Sequence, residues 1–206
     1  MPATLSAQDF LQLTAARRSV RKLKGGSLPD STYQAIVQAA LWTPSNQNTQ
    51  PWQFVFVRER NAELWTLLER LARERLSGDA LAQTMGRIEG MRGGLFTIFP
   101  YVDNRRLAAA VERTPARREE IPQWAVEAIG MAQLNLWLAI TAAGLATSLQ
   151  HWQRWSEREV NDFLGVPASG LTQVSLMAVG YPDETPAATQ GTRDETIIHQ
   201  ERYLES

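Results

Sequence analysis

The stretch TPSNQNTQPWQFVFV, residues 43–57, joins the end of a helical pattern to an apolar strand through an amide-rich loop. Pro44 stops the helix that precedes it, since proline cannot continue a helical hydrogen-bond ladder. Pro51 biases Gln50 toward extended backbone, so the chain enters a strand at Trp52. The segment QFVFV is short and almost wholly apolar, which predicts a buried strand. The stretch therefore marks a helix-to-strand junction whose loop is unusually polar.

Upstream of this junction the sequence predicts two helices. Ser6 is placed to cap the first, whose apolar side includes Phe10 and Leu11. The second is LPDSTYQAIVQAALW, residues 28–42, in which Asp30 or Ser31 is placed as the cap and apolar residues recur at helical spacing.

Downstream, the pattern predicts two helices at 62–76 and 79–91, followed by a strand, LFTIFPYV, at 95–102. A long helix is then predicted from about Pro122 to Ala143, ended by Gly144. Its apolar residues lie on nearly every side of the helix, so other protein surfaces must bury all of these sides. This favours a core helix shared with a partner subunit.

The last part of the chain predicts a short helix, SEREVNDFLGV, capped by Ser156, and a strand, LTQVSLMAVGYP, at 171–182. Helices outnumber strands without strict alternation, which indicates the α+β class. The sequence predicts a single domain that spans residues 1–206, in which residues 182–206 are expected to be a C-terminal arm.

Composition limits the function. The chain has 206 residues and 44% hydrophobic content, and its 21 basic and 22 acidic residues give a net charge of -1. No global field favours nucleic acid or an anionic membrane, so neither is predicted as a partner. There is no cysteine, and the N-terminus lacks the basic-then-apolar order of a signal peptide. We therefore expect a soluble cytoplasmic protein.

The segment RRSVRK, residues 17–22, gathers Arg17, Arg18, Arg21 and Lys22 around the hydroxyl of Ser19. Guanidinium groups match phosphate oxygens, and the hydroxyl adds a hydrogen bond, so one phosphate fits here. A solvated basic turn is the alternative interpretation.

The amides of the 43–50 loop offer neutral donors and acceptors together, as recognition of a ring with alternating carbonyl and N–H groups requires. Neutral amides line a cleft without the desolvation cost of a charge. An ordinary loop is the alternative, because Ser, Asn, Thr and Pro are common turn residues.

A third segment, GLATSLQHW at 144–152, follows the long helix, and its small residues allow backbone N–H groups to approach a flat ligand. His151 has no nearby Cys, Asp or His pattern, so no metal site is predicted. A packed or capping histidine and a place in a cofactor pocket both remain open for it. The sequence also lacks the G-x-S-x-G, G-x-G-x-x-G and Walker motifs.

Together these three segments resemble the FMN-dependent nitroreductases. The family pattern of R-R-S-x-R, then P-S-x-x-N-x-Q-P-W-x-F, then a G-L-x-x-S-like turn stands here as RRSVR, PSNQNTQPWQF and GLATSLQHW, in family order. The sub-pattern SLQHW looks more like the branch of fatty-acid repression mutant proteins than like the main bacterial enzymes.

The resemblance implies an α+β sandwich with a mainly antiparallel sheet, an obligate homodimer through the long helix, and FMN at the subunit interface. Carried over by position, the phosphate and the ring's polar edge would be met by Arg17, Arg18, Ser19 and Arg21. The loop contacts would come from Pro44, Ser45, Asn46 and Asn48, and the backbone contacts near the ring's N5 from a turn at Ser148, Leu149, Gln150 and His151.

Two departures from the family pattern stand out. Many members carry a Lys-x-Arg pair near the C-terminus, and here only Arg193 is a counterpart to it. In the turn after the long helix, Ala146 stands where the family commonly has a second glycine. The resemblance further implies an enzyme that takes reducing equivalents from NADH or NADPH by ping-pong turnover and passes them to a nitroaromatic, quinone or similar small acceptor. No catalytic side chain is predicted, because the flavin performs the redox chemistry. A flavin-binding regulatory or sensor protein with little turnover is the alternative.

Overall fold

An antiparallel sheet lies at the centre of the structure, a computed structural model that describes residues 5–167 and 169–186. In this part of the chain the strands are β1 Leu23–Lys24, β2 Trp52–Val57, β3 Phe96–Asp103, β4 Ala146–Gln150, β5 Leu171–Gln173 and β6 Leu176–Pro182. The order is β1-β6-β3-β2, with β4 also paired to β6 and β5 to β3, and each of these pairings is antiparallel. The predicted α+β class with an antiparallel sheet is confirmed.

Helices flank the sheet. They are α1 Ala7–Ala16, α2 Asp30–Leu41, α3 Asn61–Arg75, α4 Gly78–Met91, α5 Asn104–Arg113, α6 Ile121–Ala142 and α7 Gln153–Leu164, with 3-10 turns at Asn46–Asn48 and Pro115–Arg117.

The predicted cap of α1 is confirmed. Ser6 Oγ accepts a hydrogen bond from Asp9 N at 3.1 Å, and the Asp9 carboxylate accepts one from Ser6 N at 3.3 Å. This reciprocal capping box satisfies two backbone donors that the first helical turn leaves unpaired.

Three local predictions were wrong. Helix α2 begins after Pro29, with no side-chain cap from Asp30 or Ser31. Helix α7 begins three residues before Ser156, whose hydroxyl instead donates to Trp152 O from inside the helix at 2.9 Å. The predicted strand at 171–182 is divided into β5 and β6, because β5 pairs with the far end of β3.

Alternating side chains bury both faces of the sheet. On β3, Phe96 and Ile98 pack with α2 and α6, whereas Phe99 and Tyr101 pack on the opposite side with α3 and α4. Successive residues of a strand point to opposite faces, so a strand covered on both sides is apolar throughout. This explains why these strands lack polar alternation in the sequence.

Helix α6 matches the predicted long helix to within one residue at each end. Gly144 follows it in the left-handed conformation, φ 72°, which glycine adopts at low cost. One side of α6 packs on the sheet, while Val126, Met131 and Leu134 remain exposed. By length and composition α6 could cross a membrane, yet 50% of its most apolar window is buried inside the protein, as in core helices of soluble proteins.

A glycine in α4 lets the helix approach the basic segment, residues 17–22, closely. A Cβ added at Gly90 would lie 2.3 Å from the carbonyl oxygen of Arg21, whereas one at Gly86 would meet nothing within 4 Å. We expect Gly90→Ala to lower the free energy of unfolding by about 1–3 kcal/mol. Gly86→Ala should raise it by up to about 1 kcal/mol through helix propensity.

Urea denaturation of both variants tests this contact. Equal effects of the two substitutions would contradict the close packing of α4 on the basic segment, because the helix propensity of the two substitutions is the same.

Candidate functional site

The basic segment runs beside β4, which brings the first and third predicted segments together. Val20 N donates to Thr147 O at 3.1 Å, and Ser19 forms an isolated parallel bridge with Thr147. Val20 is buried in the core, so it anchors the segment to the body of the protein. No local sequence signal links positions so distant in the chain.

The cations of this segment have different surroundings. The guanidinium of Arg17 stacks over the Trp137 ring, 4.6 Å from its centroid. Arg18 is half-buried and lines a cavity of about 220 Å³ together with Val20, Thr141 and Ala146. Within residues 5–167 and 169–186, the guanidinium of Arg18 has no hydrogen-bond or carboxylate partner. Arg21 and Lys22 are exposed and do not line this cavity, so Arg18 is the cation best placed to hold an anion there.

The amide loop is strained. Gln47, Asn48 and Gln50 all have positive φ, at 49°, 53° and 47°, although none is glycine. Such conformations cost on the order of 1–3 kcal/mol each and concentrate at functional sites. Ser45 holds the loop by accepting Gln50 N at its hydroxyl, 2.9 Å away, and Asn48 N at its carbonyl, 3.0 Å away.

This arrangement leaves Pro44, Asn46 and Asn48 exposed and Ser45 half-buried. Both asparagines are therefore accessible on the surface of the described chain.

Side chains of helices α5 and α6 form hydrogen bonds with residues of the amide loop, 43–50. Asn135 Nδ2 donates to Thr43 Oγ1 at 2.9 Å, and Arg106 reaches Gln50 O at 3.4 Å. A narrow cleft between the loop and these helices has room for about one water, about 10 Å³, and is lined by polar residues of the loop and by mostly apolar helix residues including Trp124. Sequence reasoning did not predict α5, whose first turn is signalled only by Asp103.

Asp103 connects the loop, the sheet and α5. Its backbone N–H donates to Pro51 O at 2.9 Å, and its buried carboxylate accepts from Gln53 Nε2 at 2.8 Å and from the N–H and guanidinium of Arg105 at 3.1 Å. Burial opposes ionisation, but the hydrogen bonds from Arg105 and Gln53 outweigh it and lower the pKa of Asp103. The carboxylate is thus held ionised at the base of the loop.

A lowered pKa makes the Asp103 contribution dependent on pH. The stability it adds is complete above the unfolded pKa of about 3.9 and is lost as the pH falls through the lower folded value. We expect Asp103→Asn to lower the free energy of unfolding by about 1–3 kcal/mol at pH 7 and to flatten the acid limb of the stability curve.

Denaturation curves between neutral and acid pH measure both effects. Asp183→Asn is the matched control, because its exposed pair with Lys24, 3.1 Å long, should contribute less than about 1 kcal/mol. An unchanged acid limb in Asp103→Asn would refute the assignment.

The predicted turn at Ser148, Leu149, Gln150 and His151 was wrong in its conformation. Residues 146–150 form β4, because this small, polar stretch pairs along its length with β6. Ser148 and Gln150 are buried, with Gln150 Nε2 donating to Ser148 Oγ at 3.1 Å and that hydroxyl donating to Met91 Sδ at 3.6 Å. Their side chains thus face the core, and His151 is exposed.

The structure places the amide loop apart from the basic segment. Ala125 lines the cleft under the loop and Thr141 lines the cavity of Arg18. Thr141 comes sixteen positions after Ala125, which is about 24 Å along α6. Arg193 lies outside the described residues. Within the described residues, no cluster of three or more His, Cys, Asp or Glu side chains could hold a metal ion.

The family model described as "Nitroreductase family" matches residues 14–181. An NADH dehydrogenase of Thermus thermophilus is 27% identical over 198 residues, covering 89% of this chain and 92% of its own. A nitroreductase, CinD, from Lactococcus lactis in complex with chloramphenicol superposes with a TM-score of 0.81 at 17% identity, covering 93% of this chain and 100% of its own. A nitroreductase with bound FMN from Desulfitobacterium hafniense gives 0.68 at 20% identity, covering 92% and 96%. The match spans the basic segment, the amide loop and all of the sheet except the last residue of β6, and this chain belongs to the nitroreductase family.

Proposed function

We propose that this protein is an FMN-dependent NAD(P)H oxidoreductase that acts as a homodimer and reduces nitroaromatic, quinone or similar small acceptors. The observation that carries the proposal is the guanidinium of Arg18, which faces a cavity beside β4 with no carboxylate partner in the described residues. The carboxylate of Glu184 lines the same cavity but accepts hydrogen bonds from Arg21 N and Lys22 N rather than from Arg18, so a cofactor phosphate can pair with the Arg18 guanidinium.

The residues present fit both the phosphate and the ring of FMN. Arg18, Ser19 and Arg21 provide cations and a hydroxyl for the phosphate, while the loop provides neutral amides for the polar edge of the ring. The side chains of Ser148 and Gln150 are occupied in the core, so β4 has only its backbone to offer the flavin. The FMN bound to the structural relative from Desulfitobacterium hafniense supports this assignment.

Bound FMN would supply the redox chemistry, accepting hydride at N5 from NADH or NADPH and passing reducing equivalents to the acceptor in a ping-pong cycle. The protein binds and orients it. A positive charge from one of the N-terminal arginines near the polar edge would stabilise the electron-rich reduced state. The structure nominates no side chain as an obligatory proton donor.

The exposed face of α6, which is mainly apolar and also carries Gln123 and Glu127, supports the homodimer. Val126, Met131 and Leu134 are 68%, 41% and 46% exposed, and Gly130 between them leaves open space for a close helix contact. A soluble protein gains free energy by covering such a face. An antiparallel two-fold pairing of this face with its copy would bring the amide loop of one protomer nearer to the basic segment of its partner and shorten the 24 Å separation along α6.

Small nitroaromatic acceptors are proposed because the relative CinD binds chloramphenicol. Membership of the fatty-acid repression mutant branch and a cytoplasmic location remain predictions from the sequence.

Initial-rate kinetics tests the enzyme proposal. With purified protein, NADH or NADPH, and a nitroaromatic or quinone as acceptor, double-reciprocal plots should give the parallel lines of ping-pong turnover. Arg18→Ala protein without FMN is the background control. A protein that retains FMN but oxidises neither nicotinamide with any acceptor would be a flavin sensor instead.

A further inference from the structure

Glu184, just beyond β6, reaches back to the basic segment. Its carboxylate accepts hydrogen bonds from Arg21 N at 2.6 Å and from Lys22 N at 3.1 Å, across 163 residues of sequence in the first case. Sequence analysis assigned Glu184 no role. Because a carboxylate binds N–H groups more strongly than a neutral acceptor does, this contact holds the segment firmly.

The contact continues the pairing of β1 with β6. Leu23 pairs with Pro182 and Lys24 with Tyr181, and then Asp183 N donates to Lys22 O at 2.8 Å. Beyond that point Glu184 supplies the acceptor through its side chain. Val20 N in addition donates to Thr147 O, so residues 20–24 are held along their length.

This arrangement decides how the segment can bind an anion. Two successive backbone N–H groups form a ready anion site, and here the chain's own carboxylate fills it. A phosphate therefore cannot use the N–H groups of Arg21 and Lys22, and the side chains of the segment are left to hold it. Arg18 and Glu184 line the same cavity, and the hydrogen bonds to the backbone hold the carboxylate in place there. Fixing the backbone at Arg21 fixes where the neighbouring Arg18 and Ser19 project.

We propose that Glu184 is a positioning residue that holds residues 18–22 in the conformation that binds the cofactor phosphate, and so makes the protein prefer FMN to riboflavin. This inference rests on the proposed function. A nearby carboxylate could instead repel the phosphate. The two effects predict opposite changes when the carboxylate is removed: loss of positioning weakens FMN binding, whereas loss of repulsion strengthens it.

Fluorescence titration of the full-length apoprotein with FMN and with riboflavin tests the inference. We expect Glu184→Ala to weaken FMN binding about tenfold and to change riboflavin binding less than about twofold, since riboflavin has no phosphate. Glu184→Gln, which still offers an acceptor oxygen, should stay within about threefold of wild type for FMN. Asp183→Asn removes the adjacent charge and should leave both affinities unchanged.

The ratio of the two affinities separates positioning from general destabilisation, which would weaken both ligands equally. An unchanged ratio in Glu184→Ala, or tighter FMN binding, would overturn the inference. If Glu184→Ala does not fold, Glu184→Asp decides in the same way, because its shorter carboxylate cannot reach both N–H groups. A wild-type protein that binds no FMN would instead refute the proposed function itself, and the role of Glu184 with it.

Discussion

Substituting Arg18 with Ala should weaken FMN binding by roughly 10- to 150-fold, because a charge-assisted hydrogen bond contributes about 1.5–3 kcal/mol. The guanidinium is half-buried beside the 220 Å³ cavity and has no carboxylate partner among the described residues. Its loss leaves a bound phosphate without its main counter-charge. The fold should be unaffected, since Arg18 supports no hydrogen bond in this part of the structure.

Equilibrium titration with FMN and riboflavin, together with thermal unfolding of the apoprotein, measures this effect. Arg18→Lys should give an intermediate loss, because an ammonium keeps the charge without the planar fork. Arg154→Ala, an exposed arginine on α7, is the matched control and should bind FMN like wild type. If Arg18→Ala bound FMN as tightly as wild type, the phosphate would lie elsewhere.

Leu134→Glu should convert the protein to a monomer and abolish FMN retention. Leu134 is 46% exposed within a face that also contains Val126 and Met131. In a two-fold contact each substitution occurs twice, and burying an unpaired carboxylate in an apolar contact costs several kcal/mol. FMN should be lost with the partner, because the amide loop of one protomer is proposed to complete the site of the other.

Analytical ultracentrifugation with and without FMN measures the change. Leu134→Met keeps the apolar surface and should remain dimeric. A wild-type protein that is monomeric while holding FMN would refute the shared site, and so would a Leu134→Glu protein that stays dimeric.

Much of the fold could be predicted from local patterns. The strands β2 and β3 and the long helix α6 follow from apolar runs whose length and spacing suit one structure only. Helix α5 could not be predicted in this way, because Asp103 is both the last residue of β3 and the cap of the helix, so no loop separates them. Likewise β4 resembles a turn in composition, and only its pairing with β6 makes it a strand.

The site was harder to predict because its parts meet through tertiary contacts. The strain at Gln47 and Gln50 has no sequence signal, since glycine and asparagine are the residues that normally mark positive φ. The contact of Val20 with Thr147 joins segments far apart in the chain. Sequence could name the basic segment as a group, but only the structure separates Arg17, stacked on Trp137, from Arg18, which faces the cavity.

Anaerobic reduction is the most direct test of the central claim. The purified protein, loaded with FMN, is mixed with NADH or NADPH in the absence of oxygen, and the visible flavin absorbance is followed. The proposed function predicts that at least one nicotinamide bleaches the bound flavin and that a nitroaromatic acceptor restores its colour. Bound flavin that neither nicotinamide bleaches would contradict the assignment of this protein as an oxidoreductase.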